Sequence, residues 1–363
     1  MENNITASFD DKKEWLKKDS RNVLVLMSGG VDSSAAALIL QNDGWNVAGL
    51  TMVISDDESA CGSAAEVCSS LGVPHFSVNI KCEFKARVID LFRSEYRAGR
   101  TPNPCADCNE RVKFGLLCDL AHEAWGGNFH VATGHYARII RTHGGTYLAR
   151  AANIKKDQSY FLSGLKRELI EKMLLPLGSF VMKDETRSLV RAAGLPVAER
   201  PESMEICFAG EEDYRHIMES ASVPGDIVGI NGKVIGRHNG IINYTVGQRK
   251  GLGIASKDPL YVVSIRRRDN VIVAAGREDA FASVVKGERL NVLAQEYLDA
   301  SVPRFGKVRS QGEPQPCAAV SADGGRILVE FAKPIFAPAP GQRLVLYTAD
   351  GVVIAGAVIS PLE

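Results

Sequence analysis

Between an apolar run, Val23–Met27, and an alanine- and leucine-rich segment, Ser33–Gln41, the chain carries Ser28-Gly-Gly-Val-Asp-Ser-Ser34. The run is short and does not alternate, as expected of a parallel strand buried on both faces. The segment after it reads as a helix that stops at Asp43-Gly44. Two glycines at the junction let the backbone approach an anion closely, and the helix start supplies N–H donors and a positive dipole end. Ser28, Ser33 and Ser34 add hydroxyls, and Asp32 is suited to Mg²⁺. No Lys-Ser/Thr pair follows, so this is not the Walker-type loop of γ-phosphate chemistry. A plain glycine-rich turn is the bland alternative, and the complete heptapeptide between strand and helix argues against it.

Strand and helix continue to alternate. Val47–Met52, Phe76–Val78 and His130–Thr133 read as strands; Ser63–Leu71, Phe84–Tyr96 and Val112–Trp125 read as helices. That order predicts an α/β fold, an open parallel sheet covered on both faces. Ala137–Ala151 reads as a hairpin around Gly144-Gly145, with helices at Leu165–Leu174 and Lys183–Ala193. After about residue 210, short β-branched runs recur between turns: Asp226–Val228, Gly232–Ile235, Tyr261–Ile265, Val271–Val273, Arg289–Val292, Ala318–Val320, Arg326–Phe331, Arg343–Tyr347 and Val352–Ile359. They predict small β modules or barrels. The expected division is a polar leader (1–20), a catalytic domain (21–210), a small central domain (211–280) and a C-terminal β-barrel (281–363).

With 43 basic and 43 acidic residues in 363, the chain has no overall basic coat, although a local positive groove suffices for nucleic acid. Eight scattered cysteines do not form a disulfide scaffold. The first twenty residues lack an apolar signal core, and no run of about 18 apolar residues predicts a membrane span. A reducing cytoplasm is the expected setting, with no membrane partner.

Thr101–Phe114, TPNPCADCNERVKF, sets Cys105 and Cys108 three apart behind Asn103-Pro104. Asn is a good helix N-cap and Pro a good first residue, so both sulfurs fall on one face of a first turn. The dipole end and the nearby Arg100, Arg111 and Lys113 favour thiolate. A chance pair, half a zinc site and a redox pair remain open, although no second C-x-x-C completes a zinc set. Cys207 lies in Arg200–Gly210, between Ile206 and Phe208, where a cysteine is ordinarily a small buried hydrophobe. Cys61, Cys68, Cys82, Cys118 and Cys317 read as structural. His135, in Ala132–Tyr136, follows a strand, where open α/β sheets bind ligands.

The loop resembles that of the PP-loop ATP pyrophosphatases, which are adenine nucleotide alpha hydrolase-like. Together with Gly49–Met52, TPNPCADCNERVKFG, ATGHYARI, Lys156–Leu162, ICF and Tyr244–Ile254, it resembles the tRNA-specific 2-thiouridylases. The resemblance implies three domains and ATP-dependent 2-thiolation of a tRNA wobble uridine. It also implies Mg²⁺ and a sulfur donor: a cysteine desulfurase, a sulfur-relay protein or free sulfide. Carried onto matching positions, it implies nucleotide contacts at Leu26, Met27, Ser28, Gly29, Gly30, Val31, Asp32, Ser33, Met52 and Gly134. Asn103, Pro104 and Cys105 match positions facing the target base. Cys108 matches the nucleophilic cysteine and Cys207 the persulfide-bearing one. Lys156, Asp157, Gln158, Arg309, Ser310 and Gln342 match tRNA-contacting positions, Ser310 within a segment that otherwise departs from the family pattern.

Where well-known members carry Asp, this chain has Cys105. Two routes for sulfur follow. A persulfide relay needs only Cys108 and Cys207. A [4Fe–4S] cluster held by Cys105, Cys108 and Cys207 would keep one iron open for sulfide. The additional cysteine favours the cluster as the expectation. His135, Lys156 or main-chain donors are candidates to stabilise developing charge. Lys155, Lys156, Arg249 and Lys250 are candidate phosphate contacts.

Overall fold

The computed structural model describes residues 6–7, 15–17, 21–182, 184–201, 206–208, 217–218, 222–298 and 302–361. Most of the 1–20 leader and the expected cut near 210 lie outside the described residues. The chain divides into two compact units, Met1–Val88 with Cys105–Phe208, and Ile89–Pro104 with Ala209–Glu363.

In chain order come β1 (Thr6–Ala7), β2 (Asn22–Leu26), α1 (Val31–Asn42), β3 (Asn46–Val53), α2 (Ser59–Leu71), β4 (His75–Asn79), α3 (Lys81–Phe84), α4 (Asp90–Arg97), α5 (Pro104–Cys108), α6 (Leu117–Trp125) and β5 (His130–Ala132). The hairpin β6 (Ala137–Thr142) and β7 (Gly145–Arg150) precedes α7 (Arg167–Glu171), β8 (Met173–Leu174) and α8 (Glu185–Ala192). The first unit's sheet runs β1-β4-β3-β2-β5-β8, parallel except at β1.

Every residue of β2 is buried, which explains its unbroken apolar run. Ala35, Ala36, Ala37, Leu38 and Leu40 of α1 are buried, and the helix shares a core with Val23, Val25, Met27 and Val190. Helix α2 ends where Gly72 adopts φ +65 and the Val73 N–H closes on Cys68 O, the left-handed stop that glycine accepts without Cβ strain.

Two predicted helices are corrected. Leu165–Leu174 is helical only through Arg167–Glu171. Met173 and Leu174 instead pair with Val131 and Ala132, because the sheet edge offers backbone partners and buries Met173 completely. Ahead of α6, residues Asn109–Leu116 form a π-helix between it and α5, so the cysteine turn and the later helix are one helical run.

In the second unit, β9 (Gly225–Val228), β10 (Val234–His238), β11 (Tyr261–Arg266) and β12 (Val271–Ala275) form a sheet of order β10-β9-β12-β11. Then β13 (Phe281–Val292), β14 (Arg304–Lys307), β15 (Gln315–Asp323), β16 (Arg326–Phe336), β17 (Arg343–Thr348) and β18 (Val353–Ile359) close a barrel of order β13-β16-β15-β14-β17-β18. Closure removes the free strand edges. The long β13 bends at a register shift between Glu288 and Asn291, with Arg289 at φ +54. No helix among the described residues is long and apolar enough to cross a membrane.

Gly178, after β8, has no room for a side chain, since a Cβ would collide with the Ala137 carbonyl. Gly178→Ala is expected to lower stability by about 1–3 kcal/mol, read from the urea midpoint.

Candidate functional site

Strand order reverses beside β2, with β3 and β4 on one side and β5 and β8 on the other. Such a switch point opens a crevice at the strand ends. Leu26 through Ser33 leave β2 here and enter α1, Met52 lies on neighbouring β3, and Thr133–His135 leave β5. The serines shape the loop from within. Ser33 Oγ accepts from the Ser28 N–H and donates to Gly30 O, each at 3.2 Å, and Ser34 Oγ donates to Gly30 O at 2.8 Å. Gly29 sits at φ +69 with its Cβ position taken up by Ala60 O, and its own carbonyl accepts from Arg200 Nη1 at 2.7 Å. The N-cap, Gly30, makes no side-chain cap, so no cap side chain competes with an anion at the start of α1.

Gly134 presses against this turn: a Cβ there would lie 2.5 Å from Asp32 C and 2.7 Å from Ser33 N. Asp32 Oδ1 accepts from the Tyr136 hydroxyl at 2.9 Å, and that oxygen is 2.8 Å from Thr186 Oγ1. Tyr136, Thr186 and Arg200 thus support the loop. The sequence did not single them out, and adjacency to His135 was the only available hint for Tyr136.

Asn103 precedes α5, which begins at Pro104 as expected. Cys108 is buried, whereas Cys105 and Cys207 are exposed. All three sulfurs lie within electrostatic reach of Lys113: Cys105 and Cys207 keep exposed surface, yet packing around their sulfurs pushes both thiols up, burial pushes Cys108 to about 11, and the Lys113 ammonium pulls each down. Cys108 also feels Cys207 and Cys105, and Cys207 feels Cys105. Cys207 thus keeps exposed surface, unlike the buried hydrophobe its flanking residues suggest. The expected thiolate character is corrected, since desolvation outweighs the cation. Burial pushes Cys68, Cys118 and Cys317 up to about 12, in keeping with a structural role.

Among the described residues, no three His, Cys, Asp or Glu side chains converge on a metal position. The cysteines as placed do not fit the iron–sulfur cluster, and no chemistry is derived through one.

His135 stands beside this group. Its Nδ1 is 2.7 Å from Thr133 Oγ1, and its ring centroid is 6.2 Å from that of Phe114. Burial, then Lys113, pushes its pKa down to about 3. Lys156 ends a short 3₁₀ turn capped by Asn153, and its ammonium lies 4.9 Å over the Tyr136 ring. Asp157 is buried and turned inward, accepting from the Ala151 and Ser159 N–H groups and from Arg150 Nε. Gln158 Oε1 accepts from the Tyr136 N–H at 2.9 Å. Lys156 is thus the member of the trio with a charged head over a ring, and the other two hold the turn.

Within the second unit, Gln342 Nε2 donates to Thr101 O and Pro102 O at 3.0 and 3.1 Å, and its Oε1 is 3.5 Å from Asn103 Nδ2. Arg309 Nη2 donates to Phe336 O and Ala337 O at 2.8 and 3.0 Å and stacks on the Phe336 ring; Ser310 is half-buried beside it. Arg249 and Lys250 are exposed.

A parallel sheet with a serine–glycine anion loop at its switch point defines a nucleotide-binding α/β protein. Residues 21–211 match the tRNA methyl transferase HUP domain, 215–275 the PRC-barrel domain of the same family, and 284–359 the aminomethyltransferase beta-barrel domain. The tRNA-specific 2-thiouridylase MnmA of Lachnoclostridium phytofermentans is 40% identical over 358 residues, covering 93% of this chain and 99% of that one. That of Chloroflexus aurantiacus is 41% identical over 362 residues, covering 94% and 99%. The chain belongs to the tRNA-specific 2-thiouridylase family.

Folded His135 stays neutral, while an unfolded histidine titrates near 6.5. Below about pH 6.5 the unfolded chain therefore binds the extra proton, and stability falls as pH drops toward 3. Melting temperature should decline over this window in the wild type and less steeply in His135→Gln.

Proposed function

We propose that this chain is a tRNA-uridine 2-sulfurtransferase that activates the C2 oxygen of a wobble uridine with ATP and replaces it with sulfur through Cys207 and Cys108. Family membership supports the reaction. The carrying observation is that one unit holds both a serine–glycine loop at its switch point and Cys105, Cys108 and Cys207, whose thiols share the field of Lys113. The family description speaks of methyl transfer; an anion loop with grouped thiols suits adenylation followed by sulfur transfer.

Uracil C2 is a poor electrophile with no leaving group. In the proposed first step its oxygen attacks the α-phosphorus of ATP, the Pα–O–Pβ bond breaks, and pyrophosphate remains on the loop Ser28–Ser33. Asp32, on the first turn of α1, would hold the Mg²⁺ of the nucleotide, consistent with Mg²⁺ binding through one or two carboxylates plus phosphates. In the second step the outer sulfur of a Cys207 persulfide attacks C2. The C2–O bond breaks, and AMP leaves with its electron pair. Cys108 attacks the inner sulfur of Cys207, a disulfide forms, and the S–S electron pair stays with the transferred sulfur. Free sulfide opening that disulfide reloads Cys207 with no outside reductant, whereas a persulfide on a cysteine desulfurase or relay protein requires one.

Recognition of tRNA is proposed to rest on shape and phosphate contacts, with the wobble base turned out of its stack. Lys155, Lys156, Arg249 and Lys250 supply the charge. Binding should weaken steeply as salt rises, and a salt-independent affinity would remove this assignment.

Prepared with Cys108 and Cys207 joined as a disulfide and incubated with ATP, sulfide and an unmodified tRNA, the wild type is expected to form AMP, pyrophosphate and 2-thiouridine. Cys108→Ser and Cys207→Ser should lose 2-thiouridine while still releasing pyrophosphate. Protein purified without oxygen and then oxidised to the Cys108–Cys207 disulfide should be active with sulfide in the absence of iron. About four irons with matching sulfide per chain, lost in Cys105→Asp together with activity, would replace the relay by the cluster.

A further inference from the structure

The motif reading makes Lys113 one of three nearby cations favouring thiolate, and the family assignment gives it no role. It lies on the π-helix Asn109–Leu116, five residues after Cys108. A π-helix advances about five residues per hydrogen-bonded turn, so Lys113 returns to the side of the run that carries Cys108. The next residue, Phe114, faces the His135 ring, and Gly134 before His135 lies against the first turn of α1. Lys113 therefore stands on the helical run that carries Cys105 and Cys108 and that reaches the end of the nucleotide loop through Phe114 and His135. Its charge is felt at Cys105, Cys108, Cys207 and His135. It is half-buried, and among the described residues it has no carboxylate within ion-pair distance. A structural lysine in such a position would ordinarily be paired or solvated.

We infer that Lys113 is a catalytic residue whose ammonium follows the negative charge from the attacking sulfur through C2 to the departing AMP. The role rests on the sulfurtransferase reading above. As the C–S bond forms and the C2–O bond breaks, the electron pair leaves on the AMP oxygen. Lys113 neither gains nor loses a proton. A fixed cation in a partly desolvated site stabilises the charge that builds at C2 and on the departing AMP oxygen in this transition state. His135, kept neutral, adds no competing charge.

The test compares Lys113→Met, Lys113→Gln and Lys113→Arg with the wild type, each prepared with the Cys108–Cys207 disulfide, using ATP, sulfide and unmodified tRNA. Pyrophosphate release and 2-thiouridine formation are followed separately, and ATP-induced thermal stabilisation reports a folded nucleotide loop. In Lys113→Met, kcat for 2-thiouridine should fall about 100-fold. KM for ATP and tRNA should stay within about threefold, and pyrophosphate release should persist. Lys113→Arg should recover at least about a tenth of the wild-type rate, because the charge is retained. If the Met variant shows no stabilisation by ATP, Lys113→Gln carries the same expectation. A kcat within threefold of wild type in the uncharged variants, or a loss confined to KM, overturns the role while leaving the functional reading intact. A wild type that makes no 2-thiouridine overturns the functional reading, and the role falls with it.

Discussion

The backbone of Gly134 meets the backbone of Asp32 and Ser33 with no space for a single additional carbon. That contact ties the end of β5 to the first turn of α1 across the point where strand order reverses. It fixes the angle at which the helix start faces the crevice. It also sets where His135 and Tyr136 begin, and hence where the Tyr136 hydroxyl reaches Asp32. The helix dipole and the loop N–H groups act over one turn, so their use depends on this close approach.

The first unit was legible because its signals are local and strong. The run Val23–Met27 is apolar throughout because β2 is buried throughout, and the serine–glycine turn has few structural purposes other than holding an anion. The barrel was legible as recurring short runs, but one of its strands was not. Arg304–Lys307 begins and ends on basic residues and reads as a loop, yet Arg304 and Lys307 are buried in β14. Their charge is accommodated by partners that local pattern does not reveal, Arg304 by the Leu298 carbonyl. Met173 and Leu174 continued a helical pattern and were drawn into the sheet by an unfilled edge.

The site shows a similar division. Motif order pointed to the cysteines and the loop, but spacing does not say which way a polar side chain faces. Asp157 and Gln342 have their hydrogen-bonding groups turned onto neighbouring backbone. Lys113, an ordinary lysine in a helical stretch, has its charge felt at all three sulfurs. The expectation of ready thiolates failed for a related reason: the dipole and nearby cations are visible in a sequence, whereas the desolvation that outweighs them depends on packing.

Gln342 holds the carbonyls of Thr101 and Pro102, and Gly341 lies so close to Thr101 that a Cβ would sit 2.9 Å from its carbonyl carbon. Residues more than two hundred positions apart therefore share one packing solution, directly ahead of the cysteine turn in the chain. The C-terminal barrel is consequently not an interchangeable module. A hybrid that borrows the barrel of a relative would have to carry residues 101–103 and 341–342 together, and drift in either segment constrains the other.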